Sequence, residues 1–280
     1  MTLQTVVRAV TLLLCIALLS AAPPLAGRFA LQSGVTKTQG HLRATPIRGK
    51  RRDEHLDVWL TQGESQTVER YGLDMTKYMH LILVSDDFAT FIHVHPLLQR
   101  NGHFTLDLRL PRATLYHVYA DAEPGDLGQQ VFRFDLDLAT AQPHTGRDVA
   151  PTGSVVAAGP YQVTLDSTRL RSGGESALKV HIRRNAMPAI DLHPYLGALA
   201  HAVFIDARDL SYAHAHPLPL GNGMPSMSGG MRMPALPNSA HSAPDMLLHV
   251  AVREAGTYKL WLQFRGGDGL YVAPFVLTAV

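Results

Sequence analysis

The sequence predicts an all-β chain of two tandem immunoglobulin-like antiparallel β-sandwiches, the product of an internal repeat. Three observations carry this. A segment reading MHLILVSDDFATFIHVHP at 79–96 returns as AHAVFIDARDLSYAHAHP at 200–217, and the two align without a gap as H-x12-H-x-H-P. Each half divides into about seven short runs of strand-forming residues separated by turn residues, and no stretch carries a long helical period. Beyond the repeated segment, Ala113-Thr114-Leu115-Tyr116 aligns with Ala255-Gly256-Thr257-Tyr258, each at the start of an alternating strand. A Tyr at that place suits the tyrosine corner of immunoglobulin-like sandwiches.

In chain order, residues 1–27 read as an export signal or an anchor. Arg8 precedes an apolar run from about Ala9 to Ala22, too short for a comfortable span and followed by Pro23-Pro24. Residues 28–52 are polar and basic and read as a flexible lead-in. The first sandwich is expected over 53–138, with strands at 56–61, 67–71, 104–110, 115–121 and 131–138 besides the two of the repeated segment. Residues 139–154, rich in Pro, Gly and Thr, read as a linker. The second sandwich is expected over 155–280, with strands at 161–166, 177–183, 200–206, 211–216, 247–253, 257–264 and 270–280.

Each repeated segment reads as a β-hairpin whose chemistry lies at its open end. A turn centred between Asp87 and Phe88 sets His80 opposite His95, and one centred between Arg208 and Asp209 sets His201 opposite His216. His93 and His95 lie two apart and so share a face, as do His214 and His216. Directly paired residues also share a face, with Cβ atoms about 5 Å apart. Three imidazoles per hairpin therefore converge, and three neutral imidazoles hold borderline cations such as copper or zinc. Ordinary strand histidines with local hydrogen bonds are the alternative; repetition at identical spacing weighs against it.

The copies differ most after the last His-Pro. The second inserts 218–246, which carries Met224, Met227, Met231, Met233 and Met246 with His241 in a Gly/Pro/Ser background. A loop of this length without its own structure is functional or disordered, and thioethers select Cu(I). The first four of these methionines are therefore candidate ligands beside the six histidines. Cys15, the single cysteine, lies in the expected signal, which leaves no thiolate site or disulfide after export. His193 precedes the second hairpin and is a weaker candidate. His41, His55, His103, His117, His144, His181 and His249 read as surface or packed residues. A net charge of +2 gives no case for nucleic acid.

The phrases YMHLILVSDDFATFIHVHP, PYLGALAHAVFIDARDLSYAHAHP and GTYKLWLQF, with the closing APFVL strand, resemble a family of exported bacterial proteins associated with heavy-metal handling. More distantly, a small exported β-sandwich with His and a Met-rich loop is similar to periplasmic copper-resistance carriers and cupredoxin-like folds. The resemblance implies a periplasmic or secreted protein whose partners are a metal ion and another exported metal-handling protein. Membrane association would come only through an uncleaved N-terminal segment. Copper is the expected ion and zinc the alternative. The competing reading is a tandem binding or adhesion module with no metal role. No HExxH, GxSxG, CxxC or P-loop pattern is present, and an enzyme is not expected.

Overall fold

A computed structural model describes residues 38–63, 65–138, 146–220, 235–267 and 269–280. The expected signal, residues 1–27, and Met224, Met227, Met231 and Met233 lie outside the described residues. Every regular element described is a strand. The first half holds β1 (Thr38–Pro46), β2 (Asp53–Gln62), β3 (Gln66–Thr67), β4 (Tyr71–Gly72), β5 (Met79–Ser85), β6 (Phe91–Val94), β7 (Leu97–Leu98), β8 (Phe104–Arg109), β9 (Leu115–Pro124) and β10 (Gln130–Asp137). The second holds β11 (Val155–Ala158), β12 (Tyr161–Leu165), β13 (Arg169–Leu170), β14 (Gly174–Arg184), β15 (Met187–Pro188), β16 (Leu192–His193), β17 (His201–Asp206), β18 (Tyr212–Ala215), β19 (Leu218–Pro219), β20 (Asp245–Val252), β21 (Gly256–Gly266) and β22 (Gly269–Ala279). Among the described residues no helix is long and apolar enough to cross a membrane.

Each half is a two-sheet sandwich of the immunoglobulin-like class, and the two repeat each other. In the first, β1-β2-β8-β7 packs on β10-β9-β5-β6; in the second, β11-β12-β14-β20-β19 packs on β13-β22-β21-β17-β18. Ladders between the named strands are antiparallel except that between β13 and β22. The Tyr116 hydroxyl donates to the Arg112 carbonyl at 3.1 Å and the Tyr258 hydroxyl to the Glu254 carbonyl at 2.9 Å. Both are tyrosine corners, four residues back along the chain. Each sandwich has its own core, around Leu56, Leu81, Phe104 and Val118 in the first and Val180, Phe204, Leu260 and Phe275 in the second.

Three local readings need correction. Residues 38–46, expected in a flexible lead-in, form β1, paired along its whole length with β2 because Leu42 and Ala44 pack on the first core. The strand expected at 67–71 is two short pieces in different sheets: β3 pairs with β2 and β4 with β9, as the chain crosses the sandwich. Met246, counted with the loop methionines, is fully buried on β20 in the second core. The described part of the linker is not loose. Asp148 N donates to Asp87 O at 2.8 Å in one half, and Lys259 of the other donates to Asp148 O at 2.9 Å.

The first strand of each hairpin is buried on both faces, and this positions the site. All seven residues of β5 and all six of β17 are buried. With side chains alternating, Leu81 and Leu83 enter their own core while Ile82 and Val84 face the other domain. Ile82, Val84, Tyr119 and Val131 thus meet Val203, Ile205, Tyr212 and Trp261 in a third apolar cluster between the sandwiches. Its contacts are reciprocal. Phe91 stacks on Trp261 at 5.2 Å and Tyr212 on Tyr119 at 4.9 Å. Phe91 aligns with Tyr212 in the repeat and Tyr119 with Trp261, so the halves pack as a self-complementary pair would.

Candidate metal centre

The six repeated histidines meet at this interface. Leu81 pairs with Val94 and Ala202 with Ala215, the registers that set His80 opposite His95 and His201 opposite His216. His80 and His201 are fully buried, His93 and His214 are 7% exposed, and His95 and His216 are partly exposed at the mouth. Pro96 and Pro217 follow where the chain leaves one sheet for the other, as β6 gives way to β7 and β18 to β19. A proline suits that point because it has no N–H to continue the ladder.

Each first and second histidine is aimed by a hydrogen bond on its far nitrogen. His80 Nε2 lies 3.4 Å from Asp74 O and His201 Nε2 2.9 Å from Tyr195 O. Both carbonyls belong to tight turns closed by backbone bonds, Asp74 with Lys77 and Tyr195 with Ala198, with Met75 and Leu196 in the left-handed region at φ 52° and 53°. His93 Nδ1 lies 2.8 Å from Gln263 Oε1, and His214 Nδ1 3.4 Å from Asp121 Oδ2. Both latter bonds cross the domain interface. All four partners are acceptors, so the ring nitrogen beside each must carry the proton. The opposite nitrogens are left with lone pairs.

Those bare nitrogens face one another. His80 Nδ1, His93 Nε2 and His95 Nε2 lie 3.0, 3.2 and 3.1 Å apart. In the second triad, His201 Nδ1 lies 3.3 Å from His214 Nε2 and 3.1 Å from His216 Nε2. Imidazoles about 2.0–2.1 Å from a tetrahedral ion sit about 3.3 Å from one another, close to these separations. The triads also adjoin: His80 and His214 rings are 5.0 Å apart, His93 and His201 5.1 Å. Among the described residues, three sets of side chains bring ligand atoms within 4.8 Å of one another: His80 with His93 and His95; His80 with His201 and His214; and Asp74 with His214 and His216. These buried groups could hold a metal ion.

Burial, and then mutual repulsion among most of the rings, keeps the rings neutral. Desolvation is the first cause in all six, pulling His95 down to about 3 and His201 to about 4 and the other four well below the usual histidine range. Neutral rings offer the lone pairs that metals need.

A family model described as Domain of unknown function (DUF8832) matches residues 35–140 and 155–280. The chain belongs to this family. The two DUF8832 segments coincide with the two sandwiches, so each carries one His triad. No curated protein matches. Among solved structures, selenomethionine-substituted chicken interferon gamma receptor alpha chain is 12% identical, over 81% of this chain and 93% of that one, with a TM-score of 0.24. A glycosyl hydrolase family 2 member from Bacteroides cellulosilyticus is 9% identical, over 88% of this chain and 29% of that one, with a TM-score of 0.22. Scores this low carry no weight; the sandwich class of this DUF8832 chain rests on its own strand order and tyrosine corners.

Sequence reading missed Asp74, Asp121 and Gln263. A signal existed for the last two. Carrying the Tyr116–Tyr258 alignment along the strand sets Asp121 against Gln263, and these pair directly with His80 and His201 across the ladder. The remaining described histidines go elsewhere, and His144 lies outside the described residues. His193 Nδ1 lies 3.2 Å from Ala240 O, with its ring 5.1 Å from His241. His41 and His103 sandwich Trp59, and His55, His117, His181 and His249 bond carboxylates. The described chain resumes after the Met-rich stretch beside the site: Leu236 N donates 2.8 Å to Gly197 O, in the turn that aims His201.

Proposed function

We propose that this chain is an exported metal-binding protein that holds its ion between its two domains, copper before zinc, and buffers it or hands it on. One observation carries the reading. His80 Nδ1 and His93 Nε2 face each other at 3.0 Å while the other nitrogen of each ring is committed to an acceptor. Two lone pairs at that distance repel unless a cation lies between them. An all-imidazole set suits copper and zinc, and among divalent first-row ions Cu(II) binds a given site most tightly. His95 and His216 at the mouth give an entry path. Asp121 is engaged with His214, Tyr212 and Gln129, so the reading includes no general base and no catalytic step.

The test is metal analysis of the untagged full-length protein after copper loading and exhaustive dialysis. At least one copper per chain is expected, and His214→Ala with His216→Ala should lower affinity at least tenfold. Unchanged binding in the double variant rejects the assignment.

A further inference from the structure

The two triads are alike in their histidines and unlike in everything around them. Asp74 aligns with Tyr195 and Asp121 with Gln263, so both carboxylates near the cluster belong to the first domain. Both serve the second domain's triad. Asp121 Oδ2 accepts from His214 Nδ1 at 3.4 Å, whereas the matching His93 rests on the neutral amide of Gln263. An Asp74 oxygen lies within 4.8 Å of ligand nitrogens of both His214 and His216, and its Oδ2 is 3.6 Å from His80 Nε2.

From this we infer that the interface takes two cations at inequivalent sites. The first to fill is His201, His214 and His216 with Asp74 as fourth ligand across the interface; the second is His80, His93 and His95 alone. This rests on reading the cluster as a metal centre.

Two ions follow from the geometry. The first triad closes three short nitrogen separations and the second has two, both to His201 Nδ1, so each can cap one ion. Their order follows from charge. A cation in a buried site is favoured by anions at the ligand or just behind it, because little water is present to screen it. A carboxylate behind a ligating histidine also makes the ring a stronger donor. The second triad has both and takes a divalent ion. The first triad has only Asp74 Oδ2, 3.6 Å behind His80 Nε2 and shared with the other site, and its ion enters against the charge of the one already bound a few ångströms away. It therefore holds its ion more weakly and exchanges it first. Asp74 touches both sites through His80, so loading of the second triad is felt at the first.

The experiment is a titration of metal-free full-length protein with Zn(II) alone, followed by calorimetry, with native mass spectrometry for stoichiometry. Two ions per chain are expected, in steps at least tenfold apart in affinity. Asp74→Asn should weaken the tighter step 10- to 100-fold and the other step by less. His95→Ala should remove the weaker step and keep the tighter one. Tyr195→Asp, which by the repeat sets a carboxylate toward the first triad, should narrow the gap between the steps. Thermal unfolding of each variant separates misfolding from loss of a ligand, and Tyr195→Asp tests the inference by gain if Asp74→Asn does not fold. One ion per chain that both His95→Ala and His216→Ala abolish overturns the inference and leaves a single shared centre. Two equal steps, or a tight step unmoved by Asp74→Asn with a gap unmoved by Tyr195→Asp, overturn it as well. Failure of the wild type to bind any ion would instead refute the metal reading beneath it.

Discussion

Acid should unfold the metal-free protein through its interface. An imidazole whose folded pKa is depressed leaves the unfolded chain holding the extra proton below about pH 6.5, so stability is lost as pH falls from there. His95 and His201, at about 3 and about 4, are still neutral in the folded protein at pH 5.5. Each then removes about 1.4 kcal/mol relative to neutral pH, about 3 kcal/mol together. Asp121 has the opposite sign. Its carboxyl sits at about 7, so the folded state gains the proton first and stability rises as pH falls, by about 2 kcal/mol between pH 7.5 and 5.5. The three leave a net loss of about 1 kcal/mol, and the other four rings push further in the same direction as the first two. Urea unfolding followed by tryptophan fluorescence, with Trp261 buried at the interface, measures this in the presence of a chelator. Asp121→Asn removes the compensating carboxyl, so its loss across this pH range should exceed the wild type's by about 2 kcal/mol. A metal-free protein as stable at pH 5.5 as at pH 7.5, or a variant with a shallower profile, would refute the placement of neutral rings in a dry interface.

Other outcomes follow from single contacts. Trp261→Ala removes the stack on Phe91 and the edge contact with Phe88, and should cost about 3–5 kcal/mol by chemical denaturation, with weaker metal binding because domain docking is loosened. Gln263→Ala leaves His93 without its aiming acceptor and should lower metal affinity about 10- to 100-fold in calorimetry while the fold persists by circular dichroism. Tyr258→Phe deletes the bond to Glu254 O and should cost about 1 kcal/mol of stability with metal affinity unchanged.

Much of this was legible in the sequence because it is local. The hairpin register follows from where two turns are centred, and Val84 pairing with Phe91 and Ile205 with Tyr212 bears it out. The alternating strands and the two tyrosines followed from period and alignment. The strand at 38–46 was hidden because its sequence, TQGHLRATP, is polar and basic, and its order comes from the ladder to β2 rather than from composition. The pooling of the triads was hidden for a different reason. An uninterrupted apolar strand such as MHLILVS announces burial on both faces but does not say what covers the second one. The partners that aim His93 and His214 come from the other domain, and no spacing within either hairpin encodes them.

Duplication explains why a site lies where it does. When two copies of one sandwich pack through the same face, any residue near the symmetry axis meets its own twin. Three histidines at the open end of a hairpin thereby become six without further mutation. Such a pair begins equivalent, and its halves are then free to differ because both are fixed in one chain. Here the histidines stayed the same while Asp74 and Asp121 in one half became opposed to Tyr195 and Gln263 in the other. A covalently joined pair can place charge on one side of its axis, which a true homodimer of identical chains cannot. That asymmetry is the physical means by which one histidine cluster acquires two different ion sites.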